Sequence, residues 1–436
     1  MLKLIEVLKI KYFNTDKKVL NNILWLLFDN VVRRLIMLIV IAYTSRYLGV
    51  ETFGIVNYAN ALMLFFTVVA NLGIKSILVK EIVEGNIKEG TLLGTSFISM
   101  LGASFVSCLL MMLFVLLQKE TVVTQYVFLM LGITLIIQST DALAYYFESK
   151  LLSKYIVFSS NTSLIISSIL RLCCVYFKLD IYFYASIFVV EAFLRAWALL
   201  FYYYKNNGSF KQWSFEVILA RLLVKQSLPI MLAAVASSVY MRIDQVMIRE
   251  MMSMESVGIY AAVTQVTSVF YFIPMSICSS LFPKLLSQKN ENEELFNYNL
   301  YKLLQKLIFF SLVLILFTFI FSKQIVLVLY GVKFMESANI LKYSVFSLLF
   351  VSIGILQSYY LISMNKSALL LQITISGVIV NVLLNSIFIP VYGLQGSAIS
   401  ILCTFAFTGY FVGYFYKPLH YFTQITTRAF FLQPIK

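Results

Sequence analysis

The chain has 436 residues, 61% of them hydrophobic and only 12% charged, against about 45–50% apolar and about 25% charged in soluble domains. That much apolar surface cannot be hidden in one soluble core, which excludes a soluble globular protein. The net charge of +14 would mark a nucleic-acid binder among soluble chains; in a membrane protein it reads as basic residues gathered in cytoplasmic loops, so no nucleic acid is expected as a partner.

Residues 1–20 open with MLKLIEVLKIKYFNTDKK, which is charged throughout and has no apolar core ending in a small-residue cleavage site. They read as a basic, amphipathic cytoplasmic arm rather than a secretory signal. Runs of about 20 mostly apolar residues then follow. The first six are 21–48, 54–77, 91–117, 122–147, 155–177 and 181–204. A polar connector occupies 205–225. The second six are 227–248, 257–282, 300–322, 338–364, 368–389 and 394–416, and 417–436 is read as a cytoplasmic tail. None shows the period-2 alternation of a barrel strand, and in lipid each backbone group must be satisfied within its own segment. The expected fold is therefore an all-α integral membrane protein of about twelve transmembrane helices. It divides into an N-terminal six-helix lobe, 21–204, and a C-terminal six-helix lobe, 226–416.

Lysine and arginine set orientation. With the N-terminus inside, 22 fall on the cytoplasmic side and 7 outside, so both termini are expected in the cytoplasm. The halves also repeat. A shift of 204 positions lays the stretch from Glu51 over that from Glu255 without a gap, matching Glu51, Gly54, Ile55, Phe66, Ser76 and Lys80 to Glu255, Gly258, Ile259, Phe270, Ser280 and Lys284. Two bundles related by a pseudo-two-fold axis along the membrane normal, with a substrate site between them, are a recognised transporter plan. Chance similarity between apolar helices is the alternative.

Apart from Arg46, two residues from the end of its span and counted outside, five arginines fall inside spans: Arg33, Arg34, Arg171, Arg195 and Arg242. Four acids accompany them: Asp29, Asp141, Glu191 and Asp244. A charge at bilayer depth costs about 2.5–3.5 kcal/mol on insertion scales, so each is expected to face water or a partner. Asp29 with Arg33, and Glu191 with Arg195, are spaced i, i+4 on a shared face and can pair; Arg34 and Arg171 have no such local partner. Structural ties between helices, or snorkelling of Arg171 and Arg242 to the outer interface, are the bland readings. Spans 8 to 12 carry no arginine or acidic residue, their only charges being Lys302, Lys306 and Lys342 near span ends, which assigns the polar lining to the first seven. There is no G-x-x-x-x-G-K-[ST] motif. His420 is the only histidine and the five cysteines lack paired spacing, so no cofactor, metal or catalytic residue is expected.

Three stretches resemble the Wzx-type polysaccharide repeat-unit flippases, within the superfamily that also holds multidrug exporters and the lipid II flippase. The first is R-x-L-G-x-x-x-F-G-x-x-x-x-A, met by Arg46, Leu48, Gly49, Phe53, Gly54 and Ala59. The second runs from a Pro-opened seventh span through Tyr240-x-x-x-Asp244 and Val257 to Tyr260, ending at Phe282 and Pro283. The third joins Asn381 and Asn385 to Pro390, Tyr392, Gly393, Gly396 and Ala398. The resemblance implies a flippase of the bacterial inner membrane that carries an undecaprenyl-diphosphate-linked oligosaccharide, such as an O-antigen unit of lipopolysaccharide, to the periplasmic leaflet by alternating access. A polysaccharide polymerase and a chain-length regulator are implied as further partners. On that reading the five arginines are cavity cations for the diphosphate, since guanidinium is a permanent charge with a fork matched to phosphate oxygens. Asp29, Asp141, Glu191 and Asp244 are then coupling or pairing carboxylates. The competing readings are a membrane polysaccharide polymerase or glycosyltransferase, disfavoured by short outer loops, and a multidrug exporter of the same fold.

Overall fold

The computed structural model describes the backbone of residues 17–206, 208–431 and 433. Side chains are described from Arg33 onward, with 34, 35, 38, 283, 284, 287, 290 and 291 excepted. Most of the N-terminal arm, the side chains of Asp29, Arg34, Pro283 and Lys284, and residues 434–436 thus lie outside the described residues.

Long apolar runs make long helices: α1 Lys17–Ala70, α2 Lys75–Glu84, α3 Glu89–Leu117, α4 Val122–Ile137, α5 Asp141–Ser149, α6 Ser153–Tyr176 and α7 Ile181–Lys205 in the first half. The second half holds α8 Val217–Met251, α9 Met254–Glu291, α10 Glu293–Tyr330, α11 Glu336–Ser344, α12 Ser347–Ser363, α13 Ser367–Gly409 and α14 His420–Phe430. The described regular structure is entirely helical.

Among the described residues nine helices are long and apolar enough to cross a bilayer, or ten when the pair α11 and α12, bent by 41°, counts as one span. The sequence reading of twelve separate spans differs because two of these stretches are continuous. Ile39–Glu84 holds 46 residues and Ser367–Tyr414 holds 48. At 1.5 Å per residue each is about 70 Å long, twice the hydrocarbon thickness of about 30 Å. The second breaks at one glycine in the left-handed region, Gly393 (φ 58°); the first breaks at Gly49 (φ 77°) and again at the turn 71–74, where Leu72 (φ 52°) and Gly73 (φ 61°) are left-handed, a conformation strained for most side chains. Within the single span Val122–Ser149, one 3-10 turn, Gln138–Thr140, separates α4 from α5.

The chain divides into two compact units: residues up to Leu48 with Ile55–Ser238, and Gly49–Gly54 with Val239–Lys436. In the first, α6 packs along α7, α4 on α3 and α7, and α2 on α5. Ile74, Leu78, Leu92, Phe147, Leu199 and Tyr203 form its main core. The connector is built into this unit rather than free. Gly90 and Gly94 admit it so closely that an added Cβ would lie 2.2 Å from Gln212 O and 2.6 Å from Ser214 O. Trp213 Nε1 donates to Tyr203 Oη at 3.0 Å. Helix begins at Val217, ten residues earlier than the apolar run alone indicates.

In the second unit α12 packs on α13, and α9 on α10 and α12. The expected tail is likewise folded. Phe422, Ile425 and Ala429 of α14 are buried in one core with Leu300, Leu304, Leu356 and Leu361. The apolar face of this amphipathic helix supplies that contact.

Candidate functional site

Arg195 stands deep in α7. It is fourteen residues from Ile181 and ten from Lys205, or about 21 and 15 Å along the helix axis. The lipid-type face of α7 is marked by exposed Val190, Phe193, Trp197 and Phe201. The opposite face carries buried Tyr184, Leu199 and Tyr203, and by helical spacing Glu191 and Arg195 belong to it.

Glu191 and Arg195 are one turn apart, yet they do not pair with each other as their spacing allows. Each reaches to a different neighbouring helix. Arg195 Nη1 meets Asp141 of α5 at 2.9 Å from Oδ1 and 3.2 Å from Oδ2. Glu191 Oε2 accepts from Arg171 Nη2 of α6 at 2.8 Å. One face of α7 is therefore clamped on both sides. Tertiary pairing prevails here because each carboxylate has a guanidinium facing it across a helix interface, which the i, i+4 geometry cannot match.

The two pairs differ in access. The Arg171 side chain is 7% exposed and lies over the rings of Phe188 at 4.7 Å and Tyr184 at 6.0 Å. It does not snorkel; it is closed in by aromatic faces that favour a cation. The Arg195 side chain is 30% exposed and Asp141 14%. Asp141 is the first residue of α5, directly after the 3-10 turn. Lys75 with Glu148 at 2.9 Å, and Lys150 with Glu89, tie the outer turns of the same unit.

The other unit holds two further polar groups, one around Asp244 on the second resembling motif and one around Asn381 on the third. Asp244 is 4% exposed. Tyr260 Oη, the last residue of the Val-Gly-Ile-Tyr turn, donates to its Oδ2 at 2.6 Å, and the Gln245 N–H donates to Oδ1 at 2.8 Å. Gln245 Nε2 donates to Thr264 Oγ1 at 3.2 Å. On α13, Asn385 Nδ2 donates to Asn381 Oδ1 at 3.0 Å, and Asn381 Nδ2 points to Thr404 Oγ1 at 3.4 Å. Both asparagines are fully buried. Gln245 Oε1, Asn385 Oδ1, Ser397 Oγ and Ser400 Oγ are buried without a partner, and such oxygens are costly unless something meets them.

Of the nine residues singled out from sequence, Arg171, Glu191, Arg195 and Asp141 are brought into one three-helix arrangement. Asp244 lies in the other unit, with half-buried Arg242 acting on it electrostatically. Arg33 is half-buried in α1. Reading for charge alone passed over Tyr260, Gln245, Asn381 and Asn385. The signal was the i, i+4 asparagine pair in an otherwise apolar run.

Long apolar helices with ion pairs and amides stored in their interiors define an all-helical, multi-pass membrane protein with polar sites at depth. Residues 19–289 match the family model described as polysaccharide biosynthesis protein, and the chain belongs to that family, the Wzx-type flippases, which are transporters rather than enzymes. A curated relative, the "Probable low-salt glycan biosynthesis flippase Agl15" of Haloferax volcanii, is 24% identical over 215 residues. That match covers 48% of this chain and 44% of the relative, so the chain spans less than half of that protein's length in the alignment. Among solved structures, an inward-facing multidrug resistance MATE family transporter of the MOP superfamily superposes with a TM-score of 0.73 at 12% identity, over 91% of this chain and 95% of that one. The lipid II flippase MurJ in an inward closed conformation superposes with a TM-score of 0.71 at 16% identity, over 94% and 91%. These two likenesses show the fold.

Proposed function

We propose that the chain moves an undecaprenyl-diphosphate-linked oligosaccharide, an O-antigen or related surface-polysaccharide unit, from the cytoplasmic to the periplasmic leaflet of a bacterial inner membrane by alternating access. The family supports the lipid-linked glycan, and the Haloferax relative's name points the same way. The observation that carries the reading is Arg195: a guanidinium at mid-membrane depth, turned from the lipid face and partly open, suits the charged end of a lipid whose tail remains in the bilayer. Arg34 is a second candidate on sequence grounds, with Arg33 beside it and Arg242 nearer a span end. Arg171 is sealed by its rings and acts as a helix tie.

The proposed topology has twelve crossings with both termini cytoplasmic, since each of the two glycine-broken stretches is long enough for two passes. Six-helix lobes, 21–204 and 226–416, then alternate about the pseudo-two-fold axis of the repeat. No ATP motif is present, so net movement draws on an ion gradient or on removal of product by a polymerase and its chain-length regulator. The Asp244 cluster is our choice for the coupling ion. It offers one buried carboxylate and, beside it, the unmet Gln245 Oε1 to a proton or a monovalent cation.

The test is a strain lacking the chain, examined for the lipid-linked unit that accumulates and the leaflet that holds it. Accumulation on the cytoplasmic leaflet, reversed by the intact protein but not by Arg195→Ala at equal abundance, is expected. Glycosidic bond formation by purified protein in liposomes would replace this reading with the enzyme.

A further inference from the structure

The hold of Asp141 on Arg195 uses only part of the guanidinium. Both carboxylate oxygens face the same nitrogen, Nη1, at 2.9 and 3.2 Å. Among the described residues no acceptor meets Nη2 or Nε, and the side chain is 30% exposed. The Nε–Nη2 edge is the side of the fork that binds an oxyanion with two parallel N–H bonds. Arg171 offers no such edge: its Nη2 is taken by Glu191, and its Nε is buried without a partner under the rings. Arg195 is thus neutralised by a neighbour while its better binding edge stays open.

A transporter site has to release what it binds, and a bare guanidinium at this depth would hold a diphosphate too well. A carboxylate fixed on the far nitrogen lowers the net charge felt by the ligand without occupying the binding edge. Asp141 is suited to that post. It reaches Arg195 from a neighbouring helix, α5, and it is itself only 14% exposed.

We infer that Asp141 is the affinity-setting counter-ion of Arg195: it holds the guanidinium for a lipid diphosphate on its Nε–Nη2 edge and keeps that binding weak enough for release. The inference rests on the proposed function and adds to it the residue that sets how tightly the head group is held. A tie between helices makes the opposite forecast, because removing one partner of a tie weakens everything built on it.

The experiment is equilibrium binding of radiolabelled undecaprenyl diphosphate to the full chain in lipid nanodiscs, with inorganic pyrophosphate as competitor to read the head group alone. Asp141→Asn keeps the shape and a hydrogen-bond acceptor but removes the charge. It should bind about tenfold tighter than the parent protein, lose most of its translocation rate, and lose the gain in affinity when combined with Arg195→Ala. Unchanged or weaker binding by folded Asp141→Asn overturns the inference while leaving the function standing. Failure of that variant to accumulate as folded protein also overturns it, being the mark of a structural tie. Asp141→Glu is the second variant: retaining the charge, it should bind as the parent does, and a gain equal to that of Asn would show that charge is not the cause. A parent protein that binds neither probe rejects the functional reading, and the inference with it.

Discussion

Gly54 and Gly258, 204 positions apart in the chain, meet backbone to backbone, and the contact is reciprocal. A Cβ on Gly54 would lie 2.0 Å from Met254 O and 3.0 Å from Gly258 N; a Cβ on Gly258 would lie 2.0 Å from Val50 O and 3.1 Å from Gly54 N. Val50 and Met254 are themselves 204 apart, so each atom touches the repeat counterpart of what its own counterpart touches. All four residues belong to the second compact unit, so the contact is part of that unit's own packing.

Both glycines are therefore fixed by space. Gly54→Ala or Gly258→Ala should each destabilise the protein by about 1–3 kcal/mol or more, because the backbones must part to admit the methyl group. Thermal unfolding in detergent checks it, with Gly102→Ala, whose Cβ would meet nothing within 4 Å, as the control that should differ little from the parent.

The same contact shows what the sequence could tell and what it could not. Helical class, the span cores and the repeat follow from apolar length and residue identity, which are local properties. The continuity across Gly49 and Gly393 was not legible, since a single glycine in an apolar run reads as a boundary. Pairing was legible only as possibility. Glu191 and Arg195 sit one turn apart, and nothing local says that Arg171 and Asp141 will face them from other helices. The polar groups of the second unit were half legible: Tyr240, Asp244, Tyr260 and Asn381 all belong to the resembling motifs, but spacing could not show that Tyr260 and Asp244 meet.

The two arginines of the first unit should separate in their phenotypes. Arg171→Ala leaves Glu191 without its guanidinium at a buried interface, and should destabilise the protein by about 3–5 kcal/mol. Arg195→Ala, at a partly open position, should leave abundance near normal while surface polysaccharide is lost, and Arg195→Lys should restore it partly, keeping charge but not the fork. Quantified protein level beside polysaccharide level decides it; equal loss of both in each variant would make the two pairs equivalent ties.

The bias of 22 basic residues against 7 fixes the expected orientation. A phosphatase reporter fused after Lys436 should be inactive, and one placed after Lys333 active, because the proposed topology puts the first in the cytoplasm and the second outside. The reverse pattern would invert the protein.

Asp244 gives the last test. Its carboxylate is 4% exposed and is held by Tyr260 Oη at 2.6 Å and the Gln245 N–H at 2.8 Å; an amide of the same shape can accept the Gln245 N–H at its oxygen and donate its NH2 to Tyr260 Oη, the second bond reversed. Asp244→Asn should therefore fold, at a cost of no more than about 1 kcal/mol. What it loses is the ability to take up a proton or balance a cation, and with it the response of transport to an imposed ion gradient. In proteoliposomes carrying the lipid-linked substrate, the Asn variant should still bind and exchange it, while a proton or sodium gradient that speeds the parent protein leaves the variant unmoved. Tyr260→Phe takes one hydrogen bond from a buried carboxylate and should cost about 1–3 kcal/mol of stability, with the gradient response weakened rather than abolished. Asn381→Ala should behave like Asp244→Asn if the amides help to hold the ion, and like Tyr260→Phe if they serve packing alone. An Asp244→Asn variant that follows the gradient as the parent does would remove this carboxylate from the coupling step.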